Sequence, residues 1–215
     1  MVRRRSRRDG RIAGAGFEMK SLILGLTGSI GSGKSTASKM LREKVLPVFD
    51  ADAAVHRIMR DNGRMKEYFA AKINGSVVNG EISRSVLSEK IKSGELDVHR
   101  LEQMIWPFAE EELHRFFERH SHEPLIILDV PLLFESGWDG YCDKIVVMTA
   151  PEEVLSQRVL ARPEMTREKY LLLKQRQMSD KDKCEKADYV IDSSAGIEAV
   201  RNRLDEITDE LSCAR

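Results

Sequence analysis

The sequence predicts an α/β fold, a three-layer sandwich in which a five-stranded parallel sheet carries helices on both faces. Three observations point to it. Five short apolar runs of strand length are spread along the chain: SLILGLT from Ser21, VLPVFD from Val45, LIILDV from Leu125, KIVVMT from Lys144 and YVID from Tyr189. Apolar runs without alternation suit strands buried on both faces. Helix-like stretches separate them, so the strands return parallel through crossovers. A glycine-rich loop, GSIGSGKS from Gly28, joins the first strand to the first helix. At 215 residues the chain holds one substantial core with a small insertion, and it is too short for two large independent domains.

Each element has its own warrant. Ser35 to Leu41 opens a helix directly after the glycine-rich loop. Pro47 lacks the N–H that a central strand needs, which moves the second strand towards an edge or a strand start. Residues 53–122 then interrupt the strand-helix rhythm with a mainly helical stretch, the expected insertion. There Val98, Leu101, Ile105, Phe108, Leu113, Phe116 and Phe117 keep helical spacing across Pro107, whose ring predicts a kink or restart. Glu110, Glu111 and Glu112 mark its solvated face. Thr149-Ala150-Pro151-Glu152 combines a capping residue, a proline near the first turn and a later Glu, so a helix is expected from there to about Ala161. A polar helix follows over Arg167 to Met178. Ile197, Val200, Leu204, Ile207 and Leu211 form one apolar stripe of a C-terminal docking helix. The expected partition is a core of 19–52, 123–157 and 186–215, the helical insertion 53–122, and a lid region 158–185.

Charge and cysteine usage narrow the function classes. Lys plus Arg equal Asp plus Glu at 35 each, which argues against a generally basic nucleic-acid binder. Residues 1–18 carry six Arg against Asp9 and Glu18, a local +4, with −4 left for the remainder. This tail lacks the apolar centre of a secretory signal and is expected to be disordered. No run approaches the length of about 18 apolar residues that a membrane span needs. Cys142, Cys184 and Cys213 are far apart and without CxxC spacing, so reduced structural thiols and a cytoplasmic location are expected. His120 and His122 lie in a polar stretch and read as a solvated loop.

The chemistry begins at the glycine-rich loop. GSIGSGKS fits GxxxxGK followed by Ser, after a buried strand and before a helix, which is where a phosphate cradle must sit. Gly28, Gly31 and Gly33 let the backbone around Ser32 turn its N–H groups inward, and the helix N-terminus at Ser35 and Thr36 adds partial positive charge. Lys34 reaches the outer phosphates and Ser35 ligates magnesium. The chain is therefore expected to bind a nucleoside triphosphate with Mg2+. A GTPase would need an NKxD stretch, which is absent. A small kinase needs an acceptor surface and an arginine-bearing lid.

Both can be sought. Asp50 and Asp52 flank the turn after the second strand, at the carboxyl end where ligands of such sheets collect. One of them is expected to act on an attacking hydroxyl or to hold a magnesium-bound water; the other suits a helix cap. Asp129 ends the third strand as an acid after apolar residues, a position that orients magnesium. Leu133 and Phe134 beside Glu135 would suit an exposed substrate wall, and burial under helices is the equal alternative. Arg158 and Arg162 are four apart at a helix end, a spacing that puts both guanidinium groups on one face of a lid.

In this order the motifs GLTGSIGSGKST, VFDAD, DVPLLFE, the paired arginines, and Gln177 through Lys183 to ADYVID resemble dephospho-coenzyme A kinases, of the P-loop nucleoside-monophosphate-kinase-like group. The likeness covers nearly everything from Met19 onward. It implies transfer of the ATP γ-phosphate to the ribose 3′-hydroxyl of dephospho-coenzyme A, the last step of coenzyme A synthesis. It implies Asp52 as the base, Arg162 as the lid arginine with Arg158 behind it, and the PLLFE loop and inserted helices as the acceptor pocket. The partner is then a small molecule, with no nucleic acid or membrane, and the chain a monomer or weak homo-oligomer. Two positions depart from the family pattern: Trp106 stands before Pro107 where His is usual, and Ser193 follows VID where Asn is common. Another small-molecule kinase of the same fold remains an alternative, and so does a nucleotide-switched protein whose basic tail holds nucleic acid.

Overall fold

The computed structural model of the chain describes residues 21–213, so the basic tail expected to be disordered lies outside the described residues. Two compact units are present. One holds the described residues up to Phe49 and from His120 onward, the other Asp50–Arg119.

The first unit is built on a five-stranded sheet. Its strands, numbered along the chain, are β1 (Leu22–Gly28), β2 (Val48–Asp50), β5 (Leu125–Asp129), β6 (Lys144–Thr149) and β7 (Tyr189–Asp192), in the order β2-β5-β1-β6-β7. β1 runs parallel to β5, with Leu22 opposite Leu125, and parallel to β6, with Leu24 opposite Lys144; β6 and β7 are parallel with Val146 opposite Tyr189. Every residue of β5 is buried, as its unbroken apolar sequence requires. β2 is the edge strand that Pro47 implied, and the Pro47 carbonyl accepts from Ile127 N–H at 2.8 Å. It starts at Val48 and not at Val45, because Val45 closes the preceding helix with φ of 61° and is exposed.

That helix, α1 (Lys34–Glu43), and the C-terminal one, α9 (Ile197–Cys213), cover one face. Ala37, Met40 and Leu41 pack with Val200, Leu204, Ile207 and Leu211 over Leu24, Leu26, Ile127, Val146 and Met148. Each such buried aliphatic side chain contributes about 1.5–3 kcal/mol. Ile197 does not join the stripe. It stands at the first position of α9, 69% exposed, while Thr208 takes a core position by bonding Leu204 O at 2.9 Å. On the other face, a side chain at Gly25 would lie 2.7 Å from Cys142 Sγ and 2.9 Å from Leu133, so glycine there admits the loop after β5. Cys142, Cys184 and Cys213 are free thiols.

The second unit is helical, with α2 (Ala51–Asp61), α3 (Gly63–Lys72), α4 (Arg84–Lys92) and α5 (Val98–Arg119), plus a hairpin of β3 (Val77–Val78) and β4 (Glu81–Ile82). Asp50, Asn62 and Ser83 cap α2, α3 and α4 through their side chains. The hairpin interrupts the mainly helical stretch expected over residues 53–122. Its turn is Asn79-Gly80, both with positive φ, a dipeptide that by itself signals a two-residue hairpin loop. The restart expected at Pro107 does not occur: α5 runs through it as one helix. Met104, Ala109, Leu113 and Phe117 are buried along it, and that packing outweighs the one backbone hydrogen bond a proline removes. Glu111 and Glu112 meet Arg64, Arg57, Arg115 and Arg119 on the solvated side.

Between β6 and β7 the first unit carries α6 (Glu152–Leu160), α7 (Arg167–Gln175) and α8 (Asp180–Lys186). α6 begins at Pro151 without a side-chain cap, because the Thr149 hydroxyl is used elsewhere, donating to Asp180.

Candidate nucleotide-binding site

The loop from Ser29 to Gly33 leaves β1 and turns into α1. Two of its glycines adopt left-handed backbone, Gly31 with φ of 90° and Gly33 with φ of 84°. At Gly31 space matters as well, since a Cβ would lie 2.7 Å from the Leu155 carbonyl and 2.8 Å from Val159 of α6. Gly28 presses against β6, where a Cβ would meet the Met148 carbonyl at 2.5 Å. Gly33 is the N-cap of α1 and supplies no side-chain cap, and the first turn carries no acid. Such a helix start leaves N–H groups and positive dipole for an anion. Ser32 is buried, and its hydroxyl has no hydrogen-bond partner among the described residues, whereas Ser35 and Thr36 are exposed at the first turn.

Lys34 Nζ lies 2.6 Å from Asp129 Oδ1, an ion pair with the carboxylate almost wholly buried. The acid at the end of β5 and the lysine of the loop, 95 residues apart, are thus neighbours. Asp50 spends its carboxylate on the cap of α2, accepting from Ala53 N–H at 2.9 Å. Asp52 is an exposed residue in the first turn of that helix.

The arginines separate. Arg158 of α6 donates to Gly31 O at 3.3 Å, to Ser193 Oγ at 2.7 Å and to Ser193 O at 3.1 Å, so it braces the loop against the end of β7. Three of its five N–H donors are thus engaged with the framework. α6 ends at Leu160, so Arg162 lies beyond the helix and does not share its face. Arg162 is exposed, and no described residue accepts from its guanidinium.

The substrate wall is corrected too. Leu133 is fully buried against Gly25, and Phe134 is buried with Lys186 over its ring at 5.7 Å. Glu135 turns inward: its Oε1 accepts from Met178 N–H at 2.6 Å and lies 3.1 Å from the ammonium of the fully buried Lys183. The apolar run DVPLLFE carried both readings, and burial is the one realised.

The expected lid region divides in the same way. Tyr170 and Lys174 of α7 both bond Glu152 Oε1 of α6, at 3.0 and 2.5 Å. The Lys174 hydrogen bond chiefly holds the Glu152 carboxyl below the ordinary glutamate range, with Tyr170 assisting. Burial, and then the bond to Glu152, push the Tyr170 phenol up to about 12. Beyond α7, Gln177 Oε1 accepts from Ile30 N–H at 3.0 Å and Asp180 Oδ1 from Ser29 Oγ at 2.7 Å. Gln177 and Asp180 lie in the segment Gln177 through Lys183 that carries part of the family resemblance, and Ser29 lies in the glycine-rich loop, but the sequence gives no role to any of the three.

A family model described as Dephospho-CoA kinase matches residues 22–199. The chain belongs to that family. A dephospho-CoA kinase from Mesorhizobium japonicum is 44% identical over 192 residues, 88% of this chain and 96% of that protein. One from Rhodopseudomonas palustris is 42% identical over 87% of this chain and 94% of its own length. Among solved structures, TT1252 from Thermus thermophilus has a TM-score of 0.73 at 34% identity, covering 89% of this chain and 98% of its own. The dephospho-CoA kinase from Campylobacter jejuni, with TM-score 0.66 and 22% identity over 88% and 96%, shares the fold. Trp106, the position of the family's usual His, stacks edge-on against His99 with ring centroids 6.3 Å apart. Ser193 binds Arg158, so its departure from Asn leaves a hydroxyl that is already engaged.

Proposed function

We propose that this chain transfers the γ-phosphate of ATP to the ribose 3′-hydroxyl of dephospho-coenzyme A, giving coenzyme A and ADP. The observation that carries the reading is the uncapped, acid-free start of α1 beneath a loop with two left-handed glycines and Lys34, in a chain of this family. Backbone N–H groups of the loop hold the phosphates, and Lys34 leaves Asp129 to meet them. Arg162, exposed and without a described partner, is the group available to meet charge on the transferring phosphoryl. Asp52 takes the proton of the 3′-hydroxyl as it attacks; its support is the match of DAD to the family pattern and its exposure in the first turn of α2.

Mg2+ fits the residues present. The exposed Ser35 hydroxyl is a hard oxygen donor at the first turn of α1, and the Asp129 carboxylate beside Lys34 is a second. When bound with ATP the ion neutralises phosphate charge. The helical unit Asp50–Arg119 takes the acceptor. We read the enzyme as cytoplasmic, acting on a small molecule without nucleic acid, as a monomer or weak homo-oligomer; three free thiols suit a reducing compartment.

The test is a panel of acceptors offered with Mg-ATP to the purified protein. Dephospho-coenzyme A is expected to be preferred by a wide margin, with coenzyme A identified by mass. Preference for another hydroxyl acceptor, or phosphorylation of none, overturns the assignment.

A further inference from the structure

Phosphoryl transfer as described leaves one group of side chains without a task, and they converge on the phosphate loop from behind. Asp180 accepts from Ser29 Oγ at 2.7 Å through one carboxylate oxygen and from the Thr149 hydroxyl through the other. Gln177 accepts the Ile30 N–H at 3.0 Å. The segment between them is fastened on its far side, where Met178 N–H donates to Glu135 at 2.6 Å and the Lys183 ammonium faces the same oxygen at 3.1 Å. Two consecutive residues of the loop are therefore bonded to a segment about 150 residues later in the chain.

The loop needs such support. Its glycines have more freedom to lose than other residues, and ordering each loop residue costs about 1–2 kcal/mol. A loop that is ordered before the nucleotide arrives spares the ligand that cost. A carboxylate accepts hydrogen bonds and donates none, so Asp180 fixes the hydroxyl protons of Ser29 and Thr149 towards itself. The anchors also lie directly beyond α7, which ends at Gln175.

We infer that Gln177 and Asp180 form a positioning strap that sets the phosphate loop in its binding shape and ties it to the arm carrying α7. The strap rests on the reading of the loop as the ATP site.

The experiment measures binding of a non-hydrolysable ATP analogue with Mg2+ by calorimetry, and KM for each substrate, in wild type and variants. Asp180→Ala is expected to weaken nucleotide binding about 10- to 100-fold, the scale of lost hydrogen bonds to a charged group. KM for ATP rises with it while KM for the acceptor stays. Asp180→Asn, whose amide can accept from one hydroxyl and donate to the other, is expected to restore affinity to within about three-fold of wild type. Ser29→Ala with Thr149→Val is expected to reproduce Asp180→Ala. A merely structural role would lower the melting temperature and the active fraction and leave both KM values alone, and that result overturns the strap. If Asp180→Ala does not fold, Ser29→Ala alone decides: several-fold weaker binding supports the strap and unchanged binding overturns it. A wild type that binds nucleotide as tightly as its Asp180→Ala variant overturns the strap alone, whereas a wild type that binds none overturns the site reading and the strap with it.

Discussion

Removing the carboxylate of Glu135 isolates a buried charge, and the cost can be worked from the structure. Lys183 has no exposed surface, and among the described residues Glu135 is its one ion-pair partner, 3.1 Å away with no aligned hydrogen bond to the ammonium. The same oxygen accepts the Met178 N–H at 2.6 Å. Glu135→Leu therefore leaves the Lys183 ammonium unpaired where solvent does not reach, and takes the acceptor from the partly buried Met178 amide. Breaking such a pair from one side costs about 3–5 kcal/mol. For a chain of this size each kcal/mol lowers the melting temperature by about 2–4 °C, so a fall on the order of 10 °C is expected. Lys183→Met added to Glu135→Leu should recover most of the loss, since deleting both charges of a buried pair is often neutral or better. Urea titration of wild type, both single variants and the double variant closes the cycle. A cost below about 1 kcal/mol for Glu135→Leu, or a double variant no more stable than the single, would refute the claim that charge pairing holds α8 to the loop after β5.

Three further outcomes are expected. Lys34→Ala and Arg162→Ala should each lower kcat at least as much as Asp52→Asn, because charge stabilisation in phosphoryl transfer is worth about 10³–10⁵ and a general base about 10²–10⁴; steady-state turnover with saturating substrates compares them. Gly33→Ala, with nothing nearer than 3.5 Å to its new Cβ, should cost only the left-handed strain of about 1–2 kcal/mol, while Gly31→Ala adds a clash with the Leu155 carbonyl at 2.7 Å and should cost more in thermal unfolding. The Glu152 carboxyl is depressed by Lys174 and Tyr170, so its stabilisation is present above the ordinary glutamate value near about 4.3 and is lost as pH falls through the lower folded value. Protection of the α7 amides, taken relative to the intrinsic exchange rate at each pH, should therefore fall on acidification below about pH 4.3 in wild type, and much less so in Glu152→Gln.

The sheet was legible because its determinants are local. β6 and β7 coincide with KIVVMT and YVID, since continuous apolar runs between turn residues have little choice in a doubly covered sheet. The phosphate loop was legible for the same reason: strand, glycines, lysine and helix start are contiguous. Where a residue had two local uses, the sequence left them open and packing decided. Leu133 could line a surface or fill a gap, and the absence of a side chain at Gly25 made the gap. Thr149 could cap α6, yet its hydroxyl serves Asp180. Arg158 and Arg162 share a helical face only if the helix continues, and α6 stops between them. The Asn79-Gly80 hairpin, by contrast, has a local signal, a dipeptide that favours a two-residue turn, set inside an otherwise helical stretch.

What remained hidden has one physical character. Lys34 with Asp129, Ser29 with Asp180, Ile30 with Gln177 and Glu135 with Lys183 are all polar pairs, separated by 95, 151, 147 and 48 residues. A hydrophobic contact announces itself through periodicity, because many residues must face the same way. A polar pair needs one donor and one acceptor, leaves no pattern along the chain, and becomes specific only once the apolar framework has brought its members together. Because the first three of these pairs converge on the loop that follows β1 and the start of α1, the framework read from the sequence locates the site, and the polar contacts that it makes possible determine how rigidly the site is held.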